Sequence, residues 1–110
     1  MQLLFFVMND VDKLDQLLED LSQEPEFRAT IYDSMGMAHM LKDTGTFFSL
    51  RTLLNQSQVN SKTIMMALEE ESIEKAVRII EENVGDLEDP DTGVVFTVPV
   101  SYSKGIVKKK

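Results

Sequence analysis

The stretch "KTIMMALEEESIEKAVRIIEENVGDLEDPDTGVVFTVPV", residues 62–100, decides the fold. It opens with a near-continuous apolar run from Lys62 to Leu68, of strand length and rich in residues that suit a pleated surface. Ser72 stands where an N-cap is wanted, and Ile73, Ala76, Val77, Ile80 and Val84 follow on one stripe at helical spacing. Glu69 to Glu71 place carboxylates beside the positive end of the helix dipole. Gly85 suits the position just past a helix end, and "LEDPDTG" reads as a turn. Val94 to Val100 is again a strand, and Pro99 near its end marks it as an edge, because proline lacks a ladder donor. The unit is β-α-β.

The first part of the chain repeats this order. Leu3 to Met8 is an apolar strand, Asn9 and Asp10 offer an N-cap, and Val11, Leu14, Leu17, Leu18 and Leu21 recur at helical spacing. "QEPE" ends that helix, since proline disfavours helical geometry in the residue before it. Phe27 to Asp33 alternates as a strand does. "VDKLDQLL" from Val11 and "IEKAVRII" from Ile73 superpose without gaps, matching Asp10 to Ser72. Two such units in tandem predict an α+β, ferredoxin-like βαββαβ sandwich. A four-stranded antiparallel sheet carries two helices on one face, and strands two and four are its edges. The domain covers residues 1–100, with a long loop at 34–61 and a basic tail at 101–110. That loop is about twice the length at which structureless connections become unusual.

The helices cover one sheet face and leave the other to solvent. A monomer should then alternate apolar and polar residues along each strand. "LLFFVM" is apolar throughout, "TIMMAL" nearly so, and "VVFTVPV" has one threonine. An open face of that composition exceeds the apolar patch a monomer ordinarily shows, and burying it is worth about 25 cal/mol per Å2. The expectation is a homo-oligomer formed through the sheet. The alternative is that the tail or the long loop folds across it.

The chain has 110 residues and a net charge of −8. So acidic a chain is a poor general ligand for nucleic acid. The absence of cysteine removes disulfides and thiolate chemistry and fits a cytoplasmic protein. The N-terminal apolar run is too short to span a bilayer and lacks the features of a targeting segment. His39 is the single histidine and has no metal-ligand spacing around it, so neither a metal nor another cofactor is expected. No nucleophile, P-loop or zinc-protease motif is present. Met35, Met37, Met40, Met65 and Met66 read as adaptable packing or interface residues.

In element order and in two stretches the chain resembles the PII family of nitrogen-regulatory signal proteins. "ATIYDSMGMAH" resembles the family's second strand running into a glycine turn that opens a long loop. Residues 62–100 resemble its third strand, second helix, glycine turn and last strand, with the Gly93-Val-Val-Phe96 ending. The resemblance implies a non-enzymatic homotrimer whose sheets face the centre. A small nucleotide-like or anionic ligand would bind between subunits, and the long loop would engage a partner protein. On this sequence the implied ligand residues are Gly36, Met37, Ala38, Gly93 and Lys104, with Arg51 as a further cation. Phe47, Phe48, Leu50, Leu53 and Leu54 would serve the partner, either as an apolar lure or as a segment pinned to the protein's own surface. The chain departs from the family at Met35 and Met40, where lysine and glutamine stand, at Ala38 in place of glycine, and at Val94 in place of lysine. The arginines that follow the last strand are absent. These changes remove cations that would meet a triphosphate. A constitutive interaction module, a metal-tolerance-type trimer and a small enzyme are the rival readings of the same fold. For Gly36 itself, a strand-exit turn is the plain structural alternative.

Overall fold

A computed structural model of the chain describes residues 1–37, 61–90 and 92–106. The elements run β1 (Gln2–Met8), a 3-10 turn (Val11–Lys13), α1 (Leu14–Ser22), β2 (Ala29–Ser34), β3 (Ser61–Leu68), a second 3-10 turn (Glu70–Ser72), α2 (Ile73–Val84) and β4 (Gly93–Pro99). All sheet pairings are antiparallel and the strand order is β2-β3-β1-β4. This is the ferredoxin-like α+β architecture that the two β-α-β patterns predict, with β2 and β4 at the edges. Pro99 closes edge strand β4 opposite Gln2, where its missing N–H costs little.

The register assigns every strand residue to a face. Leu4 stands between Met66 and Thr97, and Phe6 between Ile64 and Val95. Leu4, Phe6, Met8, Ile64, Met66 and Leu68 form one core with Leu17 and Leu21 of α1 and Ala76, Ile80 and Val84 of α2. Asn83 Nδ2 ties the helices together, donating to Asp20 Oδ2 at 2.9 Å.

Three local expectations are corrected. Phe27 is not in β2, which begins at Ala29. Its N–H instead donates to Glu24 O in the turn around Pro25, and its ring is buried in the core. Ser72 makes no side-chain cap, because it already has helical backbone angles as the last residue of a 3-10 turn. Its hydroxyl donates to Glu26 Oε2 at 3.4 Å. Asp10 does cap, accepting from the Asp12 N–H at 3.2 Å. Val11 lies in the first 3-10 turn, out of phase with the α-helical stripe, and is exposed.

The gapless superposition of the two helical segments is thereby slipped by three residues. In space, both helices follow a three-residue 3-10 turn, and the buried positions match as Leu17 with Ala76 and Leu21 with Ile80. Gly85 ends α2 with φ 102, and its N–H donates to Glu81 O at 3.0 Å. Glycine enters that backbone region without the Cβ penalty other residues meet.

Candidate functional site

The face away from the helices is where the strand pattern breaks the rule for a monomer. It carries Leu3, Phe5 and Val7 of β1, Val94, Phe96 and Val98 of β4, and Met65 and Ala67 of β3. Val94, Phe96 and Val98 are 51%, 48% and 40% exposed, and Tyr32 on β2 is 42% exposed. Phe5 and Phe96 stack with ring centroids 5.1 Å apart, forming a continuous aromatic surface across β1 and β4. The β2 side of the same face is polar: Thr30, Ser34, Ser61 and Thr63 lie there with Tyr32. The apolar patch is therefore concentrated on β1 and β4 and on the adjoining part of β3.

At one end of the sheet the register lines up Asp33, Lys62, Met8 and Gly93. The two ends of the long connection meet at this row. Lys62 Nζ donates to Asp33 Oδ1, the Ser34 and Ser61 hydroxyls share a hydrogen bond of 2.6 Å, and Thr63 Oγ1 donates to Ser34 Oγ at 2.9 Å. Ser61 and Thr63 are buried, so hydroxyl partners there remove what would otherwise be a desolvation cost.

Gly36 and Met37 follow β2 at this end, with Met37 exposed. Gly93 is at the same end but on the opposite edge strand, three strands away. It has φ 140, and a Cβ placed on it would lie 2.7 Å from Val7 O and 2.8 Å from Phe6 Cε1. Packing against β1 is thus enough to require glycine there. Gly93, Val94 and Val95 line a shallow cavity of about 470 Å3 with Val77, Glu81 and Leu87.

Lys104 is elsewhere. After β4 the chain continues beside the start of β1, with the Val100 N–H donating to Met1 O at 3.1 Å. Lys104 then precedes Gly105, which turns with φ 97. Gly105 and Ile106 form one wall of a cavity of about 710 Å3 at the other end of the sheet. Its remaining described walls come from the start of β1, the approach to β2, the end of β3 and the turn into α2, including Leu3, Arg28, Met65, Ala67, Glu69 and Ser72. Within a single chain, the candidate residues Gly36 and Met37, Gly93, and Lys104 therefore occupy three separate places. Ala38, His39, Met40 and Arg51, the segment with Phe47, Phe48, Leu50, Leu53 and Leu54, and residues 107–110 lie outside the described residues.

Sequence reasoning missed the larger cavity and its cation. Arg28 stands in "EPEFRAT", between a proline turn and an edge strand. A lone cation flanking an edge strand was the available signal. Among the described residues, no three His, Cys, Asp or Glu side chains are grouped to hold a metal ion, and no helix is long and apolar enough to cross a membrane.

Fold and site together define an α+β domain of ferredoxin-like topology with an exposed apolar patch on β4 beside β1. No family model matches the chain, and no curated protein matches it. Among solved structures it is similar to the crystal structure of a functionally unknown protein from Pediococcus pentosaceus ATCC 25745. The TM-score is 0.63 at 17% identity, over 96% of this chain and 96% of that one. At that identity the likeness shows the fold and extends no function to this chain.

Proposed function

We propose that the protein is a PII-like, non-enzymatic regulatory protein of the cytoplasm. It assembles through its open sheet face as a homotrimer, takes a small ligand between subunits, and conveys occupancy to a partner protein through residues 34–61. The observation that carries the reading is the uncovered patch of Val94, Phe96 and Val98, with Phe96 stacked on Phe5. A second copy of the chain presents the same patch, and mutual burial removes both from water. Support also comes from the separation of Gly36, just past the end of edge strand β2, from Gly93 at the start of the opposite edge strand β4. Residues so placed in one subunit can meet only residues of another, so a site that uses both needs neighbours.

Native mass spectrometry of freshly purified protein tests this directly. Three subunits with a retained small molecule are the expected result. A well-folded single chain at micromolar concentration refutes the assembly, and the shared site with it. Limited proteolysis across residues 47–55 with a metabolite panel then tests sensing. A cleavage rate that no metabolite changes favours a constitutive interaction module instead.

A further inference from the structure

The cavity of about 710 Å3 falls in the size range of small-molecule sites, roughly 300–1,000 Å3. It lies at the opposite end of the sheet from Gly36 and Gly93. Leu3, Met65, Ala67 and Ile106 give it a hydrocarbon surface. Its charged groups are of both signs: Arg28 on one side, and on the other Glu26 and Glu69, of which Glu69 is already engaged in an interaction of its own. Arg28 lines it and has no ion-pair partner among the described residues. Glu26 also lines it, and one of its oxygens accepts only the long bond of 3.4 Å from Ser72 Oγ. Thr30 adds a hydroxyl on the Arg28 side.

We infer that this cavity binds a free α-amino acid with an apolar side chain. The carboxylate pairs with the Arg28 guanidinium, the ammonium group with Glu26, and the side chain covers Leu3, Met65 and Ala67. Charge selects this class over its neighbours. A simple anion meets one cation beside two acidic residues, Glu26 and Glu69, in a chain whose net charge is −8. A polyphosphate brings several negative charges to that same single guanidinium. A simple cation meets Arg28. A zwitterion carries no net charge and satisfies both signs at once, and charge-assisted contacts of this kind are the stronger hydrogen bonds. The apolar surface then rewards a hydrocarbon side chain over a polar one. The cavity shares Leu3, Met65 and Ala67 with the open sheet face, so a subunit packed there would border it, and the titration below reads ligand binding separately from subunit number.

An amide NMR titration of the full chain tests it, with L-phenylalanine and L-leucine as probes. Two analogues accompany them: 3-phenylpropionate, which lacks the ammonium group, and 2-phenylethylamine, which lacks the carboxylate. Both amino acids should shift the amides around Arg28, Thr30, Ala67 and Gly105, and each analogue should bind about tenfold more weakly or worse. Arg28→Gln and Glu26→Gln change exposed side chains, so both variants should keep the wild-type melting temperature while weakening phenylalanine by about tenfold. The inference is overturned by any of three results: no shifts with either amino acid, 3-phenylpropionate binding as tightly as phenylalanine, or Arg28→Gln retaining wild-type affinity.

Discussion

Gly93→Ala separates a structural role from a ligand-binding one at a position where the family resemblance implies ligand contact. Two effects add at this site. The residue has φ 140, where an L side chain is strained, at about 1–3 kcal/mol. The new Cβ would also lie 2.7 Å from Val7 O and 2.8 Å from Phe6 Cε1. Val7 O belongs to the central strand β1 and cannot rotate away. Phe6 is fully buried, so its ring has no free space to enter. Overpacking of that kind costs about 1–3 kcal/mol. The sum is about 2–6 kcal/mol, a large part of the roughly 5–15 kcal/mol that holds a domain folded. Gly85→Ala is the internal control. Its φ is 102 but nothing lies within 4 Å of a Cβ there, so only the strain applies. Urea unfolding of wild type and both variants, at one protein concentration so that any association is held constant, reads the difference. Gly93→Ala should lose more than Gly85→Ala by about the overpacking contribution, and its melting temperature should fall by about 10 °C or more. Gly93→Ala within about 0.5 kcal/mol of wild type would falsify the packing account and return the glycine to the ligand.

Other perturbations probe separate parts of the reasoning. Phe96→Asp puts a charge at the centre of the apolar patch and should convert the proposed assembly to single folded chains in light scattering. An unchanged mass would show that subunits meet elsewhere. Asp10→Ala should destabilise by about 1 kcal/mol, since it removes the cap on the Asp12 N–H, whereas Ser72→Ala should stay within about 0.5 kcal/mol because Ser72 caps nothing. Equal effects in thermal melts would contradict the two helix starts described above. Asn83→Ala breaks the link from α2 to Asp20 of α1 and should cost about 1 kcal/mol. If its denaturation midpoint does not move, that hydrogen bond contributes nothing net.

The architecture was legible because each element announces itself locally. Apolar runs of strand length, helical stripes, the Pro25 turn and the Gly85 stop are properties of neighbouring residues. The half-exposed apolar residues of β4 were legible for the same reason: a strand apolar at every position cannot satisfy a sheet covered on one side only. The cap at Asp10 was read correctly and the one at Ser72 was not. A three-residue 3-10 turn leaves no periodicity long enough to see, and it moves the helix start relative to the capping residue. That turn also hid the three-residue slip between the halves and the exposure of Val11.

What the sequence by itself determined is the order of elements, their apolar stripes and the surplus of apolar residues on β1, β3 and β4. Tertiary structure alone decided which of the singled-out residues share a neighbourhood. Gly36 and Gly93 part to opposite edges because β1 and β3 insert between them, and Lys104 is carried to the far end by the direction of β4. The larger cavity exists only because chain segments near positions 3, 28, 66 and 105 converge there. Element type follows from forces between near neighbours in the chain. Cavities and sites follow from closure of long loops, and strand order sets that closure.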